Sequence, residues 1–93
     1  MDKKRLLNFQ KNEITEHLVY KKLSSITKDK NNKKILEHIS KDELRHYNFF
    51  KKHTKEEVKP DYFKIKKYVL ISRLFGTKFG LKLMEKGETN AQK

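Results

Sequence analysis

Leu36-Glu-His-Ile-Ser40-Lys-Asp-Glu43-Leu-Arg-His46-Tyr-Asn-Phe-Phe50-Lys-Lys-His53 is the stretch that decides the fold. Taken at alternating steps of three and four, Leu36, Ile39, Glu43, His46, Phe50 and His53 share one face of an α-helix. That face is largely apolar, yet Glu43 and His46 stand where a core helix would carry leucine. A buried carboxylate that is neither paired nor coordinated costs on the order of several kcal/mol, so the pattern asks for a compensating charge. A metal ion is the natural one. Glu43-Leu-Arg-His46 is Glu-x-x-His, the step by which two side chains of one helical turn ligate one metal of a di-iron carboxylate bundle. The same step also suits a plain solvated pair, so a second helix has to speak for it.

Upstream, a first helix runs from about Asp2 to Ile26, with a stripe of Leu6, Phe9, Glu13, Glu16 or His17, Tyr20 and Leu23. Ionisable groups again interrupt the apolar face. A polar turn, Thr27 to Asn32, separates the two helices, and Asp29 or Asn31 can cap the second, which ends at about His53. In an antiparallel hairpin, residues at equal depth sum to a constant set by the turn. Glu13 with Glu43 puts that centre at residue 28, inside the polar turn. Each glutamate then lies about 15 residues, or roughly 22 Å, from the turn, and the two face one another. A glutamate on one helix and Glu-x-x-His on the next make half the ligand set of a di-iron bundle. Nearby, His17 suits either an extra ligand or a bundle histidine. Tyr20 suits a core aromatic or a hydrogen-bond donor and electron source beside the metals.

Downstream, Lys55 to Pro60 reads as a connector, and Pro60-Asp61 opens a third helical segment over about 61–92. Gly76 and Gly80 break or kink it. One stripe joins Leu70, Leu74, Thr77, Leu81, Met84 and Glu88. If 61–75 is a crossover and the last helix restarts near Gly76, Glu88 sits about 12 residues into it, much as Glu43 sits in its own helix. One straight helix would carry Glu88 past that level. The tail, Glu88 to Lys93, still reads as helix with no stop signal. No segment alternates as a strand does, so the expected class is all-α.

The 93 residues make one small domain, 34% hydrophobic and 39% charged, which is lean for a self-contained core. A partner chain or further segment is expected to complete it. There is no cysteine, so disulfides, zinc fingers, cysteine-ligated iron and thiol nucleophiles are excluded. The N-terminus has basic residues but no apolar run like that of a signal peptide, and the most apolar window, 68–84, carries Arg73, Lys78 and Lys82. No membrane span is expected, and the expected location is the cytoplasm. Net charge is +12, but 21 of the 24 basic residues are lysine. Arginine, which reads bases and clamps phosphates, is scarce, and the lysines fall on several helical faces. The charge reads as a solvated coat, with Tyr20, Phe50 and Phe75 claimed by apolar faces. No specific nucleic-acid binding is expected.

The residues also resemble a known family. Gln10-Lys-Asn-Glu13-Ile-Thr-Glu16-His-Leu-Val-Tyr20-Lys-Lys-Leu23 is similar to the first helix of the rubrerythrins, ferritin-like proteins in which a ligand glutamate is followed seven residues later by a tyrosine near the metals. Asp42-Glu43-Leu-Arg-His46-Tyr47 looks like their second-helix motif. Ser72 to Glu88 is similar to the third-helix region of a subgroup often fused to a vacuolar-iron-transporter-like membrane domain. The resemblance implies a single ferritin-like domain over 1–93, half or a truncated part of a four-helix bundle. It implies metal ligation by Glu13, Glu43 and His46, with Glu16 nearby and Glu85 or Glu88 as the third-helix ligand. The cofactor would be iron, two ions per completed site, with manganese or zinc as substitutes. The family's fourth helix, with its second Glu-x-x-His, is not in this sequence. Either the chain is a truncated or split product, or two copies combine as a homodimer or higher oligomer, an arrangement that encapsulated ferritins resemble.

The implied function is iron oxidation by oxygen or peroxide, a ferroxidase or iron-handling role, since a rubrerythrin peroxidase commonly draws electrons from a cysteine-ligated iron domain that has no counterpart here. A non-catalytic helical module, a remnant of a larger ferritin-like protein, or a basic nucleic-acid adaptor is the competing reading.

Overall fold

Each helix starts on an aspartate or a glycine that the local chemistry demands. In the computed structural model, which describes the backbone of residues 2–91 and the side chains of residues 2–86, α1 is Lys3–Ile26 and α2 is Lys30–Thr54. Asp2 caps α1 by accepting from the Arg5 amide at 2.8 Å, and Asp29 caps α2 by accepting from Asn32 at 2.9 Å. Lys55 closes α2 in the left-handed region at φ 59°, with its N–H on the Lys51 carbonyl at 2.7 Å. Helix α3, Tyr62–Phe75, is capped by Asp61, and Pro60 stands just before the cap instead of inside the first turn. Gly76, at φ 98°, ends α3, and α4 runs Thr77–Ala91. The described residues hold four helices and no strand.

Helices α1 and α2 lie antiparallel along their whole length, so that His17 meets Ser40, Glu13 meets His46 and Gln10 meets Thr54. Helix α3 folds back on α1, and α4 packs on α3. The α3–α4 contact is close because Gly80 has no Cβ; one added there would run into Ser72. The apolar core occupies the turn half of the hairpin and joins Val19, Tyr20 and Leu23 to Leu36, with Ile65, Tyr68 and Met84 from α3 and α4.

Two stripes differ from their sequence expectation. The buried line on α2 is Leu36, Ser40, Tyr47 and Thr54, and His46 and His53 lie exposed on its shoulder. Alternating steps of three and four fit either line, because a helix of 3.6 residues per turn places both beside Glu43. On α3 the inward residues are Ile65, Tyr68 and Ser72, whereas Leu70 and Leu74 are 57% and 67% exposed. The break at Gly76 ends the stripe that would have run on to Met84. Phe75, expected on an apolar face, is likewise 67% exposed.

Candidate metal centre

Moving outward from the turn, the apolar core gives way to a brace in which His17 Nδ1 lies 2.7 Å from the Ser40 carbonyl oxygen. A carbonyl only accepts, so this ring nitrogen carries the proton. The Ser40 hydroxyl in turn donates to the His17 carbonyl at 3.0 Å. His17 is thus a bundle histidine fixing the register of the two helices.

One turn further out is the cluster. His46 Nδ1 lies 3.1 Å from Glu13 Oε2 and 3.9 Å from Glu43 Oε1. One ligand atom from each of Glu13, Glu43 and His46 falls within 4.8 Å of the other two, and among the described residues these three form the one such group. The carboxylates are set in, with side chains 20% and 15% exposed, while the His46 ring is 58% exposed. The cluster therefore opens to solvent on its histidine side. Beyond it the Phe9 and Phe50 rings stack at 5.9 Å, so apolar material closes the cluster on the side away from the turn.

The electrostatics centre on Glu43. Burial pushes its carboxyl up, but hydrogen bonds from Glu16 and Glu13, with the charges of His46 and His17, outweigh that and hold it below the usual 4.5. Glu13, Glu16 and Glu43 thus stand together as one acidic set. Even so, Glu43 Oε2 is buried with no hydrogen-bond partner. Orphaned buried carboxylate oxygen is what a cation would satisfy. Two carboxylates, an imidazole and a third carboxylate adjacent are oxygen and nitrogen donors suited to iron, manganese or zinc. The residues present fit such an ion.

Other expected site residues fall elsewhere. Tyr20 is buried in the apolar core, about two helical turns or roughly 10 Å along α1 from Glu13. Glu85 is exposed on α4 and outside the facing group. The Glu88 side chain lies outside the described residues.

Sequence reasoning missed the polar girder that closes the open end of the hairpin. Gln10, fully buried, accepts from the Thr54 hydroxyl at 2.7 Å and donates to the Glu56 carbonyl at 2.5 Å. The Tyr47 hydroxyl receives the Val58 amide at 3.0 Å, and Thr15 receives the Asp61 amide at 2.9 Å. Together these bonds lay the connector across both helices and aim α3 back along α1. A signal existed, because Gln10 continues the line of Glu13, His17 and Tyr20 as a polar residue at core spacing.

Comparisons with protein-family models, curated proteins and solved structures find no match. No helix among the described residues is long and apolar enough to cross a membrane.

Proposed function

We propose that this chain is a ferritin-like, rubrerythrin-type module that binds iron at Glu13, Glu43 and His46 and supports its oxidation by oxygen or peroxide. The observation that carries the reading is the juxtaposition of those three ligand atoms around a buried carboxylate oxygen without a partner. Glu13, Glu43 and His46 would hold the ion, and Glu16 would stand beside them as a further carboxylate. Iron held by such donors cycles between ferrous and ferric states. The exposed His46 edge gives ions a way in, and it leaves room for the second glutamate and second Glu-x-x-His that a two-metal site needs. A second copy of the chain supplies both. Manganese and zinc would compete for the same donors.

A second reading has its own support. His46 within 3.1 Å of Glu13 makes a metal-free ion pair when protonated, which suits a non-catalytic helical module whose cluster is merely structural. Anaerobic ferrous titration followed by metal analysis separates the two. The iron reading expects about two ions per completed site and their loss in Glu43→Ala and His46→Ala. Equal iron content in both variants and the parent chain would leave only the structural module.

A further inference from the structure

We infer that the outward face of α3 is a docking surface for an anionic lipid bilayer, on which the helix lies in the plane of the headgroups. Phe63, Leu70 and Leu74, spaced by seven and four, fall within about 40° of one another around the helix. They are 79%, 57% and 67% exposed. At steps of about 100° per residue, Lys66 and Arg73 come up along one shoulder of that ridge and Lys67 along the other. All three are exposed. From Tyr62 to Met84 the chain has six basic residues and not one aspartate or glutamate. Further along, at the α3–α4 corner, Phe75 and Phe79 stand 5.4 Å apart and are also exposed.

An apolar ridge with basic shoulders is the pattern of a helix that rests at a membrane interface. Leucine and phenylalanine enter the acyl boundary while lysine and arginine reach back to the phosphates. Helix α3 is 14 residues long, about 21 Å, which is too short to span a hydrocarbon core of roughly 30 Å.

Other occupants fit this face less well. A second copy would bring Lys66, Lys67 and Arg73 against cations of the same kind, with no carboxylate in 62–84 to compensate. Nucleic acid would meet the cations and the exposed rings, but it would leave Leu70 and Leu74, which are more than half exposed and cannot stack on a base, in water. A bilayer whose surface is anionic matches both the ridge and its shoulders.

Co-sedimentation of the full chain with vesicles tests this. Binding is expected to vesicles of phosphatidylcholine and phosphatidylglycerol in equal parts, and not to phosphatidylcholine alone. The double variant Leu70→Ser, Leu74→Ser keeps every charge and is expected to lose binding by about tenfold or more. Lys66→Gln with Arg73→Gln keeps the ridge and should also weaken it. Circular dichroism confirms that each variant remains helical, as expected for exposed positions. Undiminished vesicle binding by the Leu70, Leu74 variant would overturn the proposal by reducing the face to a counterion patch. So would equal binding to neutral vesicles. It would also be overturned by a wild-type chain that ignores vesicles but self-associates through Leu70 and Leu74.

Discussion

The hairpin and the α3–α4 pair break the rules of burial in opposite directions. Between α1 and α2, polar groups are taken out of water: Gln10 completely, Ser40 and Thr54 nearly so, Glu13 and Glu43 for the most part. On α3 and the start of α4, phenylalanine and leucine are left in it. A buried polar group must be matched by hydrogen bonds or a cation, whereas an exposed apolar group simply awaits a surface. Gln10 and Thr54 are matched within the chain, so they are architecture. Glu43 Oε2 is not matched, and neither is the Leu70 ridge. These two mismatches mark where something outside the chain is wanted.

Metal content is the sharpest way to break this contrast. Glu43→Ala and His46→Ala should each abolish iron binding after anaerobic ferrous loading, because each removes one of the three ligand atoms that face one another among the described residues. Gln10→Ala, by contrast, should leave a folded chain able to load iron.

Stability measurements divide the apolar residues in the same way. Leu23, 1% exposed, belongs to the apolar core, so Leu23→Ala should cost about 2–5 kcal/mol in urea unfolding of the metal-free chain. Leu70→Ser, on the open ridge, should stay within about 0.5 kcal/mol in the same assay. Equal losses at the two positions would mean that the α3 ridge is covered in solution.

The polar girder predicts an intermediate effect. Gln10→Ala strands the Thr54 hydroxyl and the Glu56 carbonyl, a loss of about 1–3 kcal/mol. Proteolysis in the 55–61 connector should quicken accordingly, since these bonds hold it down. No quickening would separate the connector from the hairpin.

The smallest effect concerns acid. Glu43 is held below its ordinary 4.5, so the stability it contributes is complete above that pH and is lost as the pH falls through the lower folded value. Glu43→Gln should flatten the acid limb of a pH–stability curve by lowering its neutral plateau toward the acid value. A parallel curve in the variant would assign the acid limb to other carboxylates.

The sequence by itself determined the all-helical class, the polar turn, and the break at Gly76, because caps, glycine and three-four periodicity are local properties. It also determined that Glu13 and Glu43 would share a level, since equal distance from a short turn is arithmetic along two helices. Only the tertiary structure decided which shoulder of α2 faces inward. The lines through His46 and through Tyr47 are equally periodic, and the choice went to Tyr47 because its hydroxyl anchors Val58 in the connector. Only the tertiary structure, too, left Leu70 and Leu74 outside. Their spacing is as regular as that of any core residue, but α3 has two sides, and Ile65, Tyr68 and Ser72 took the one that α1 and α4 could cover.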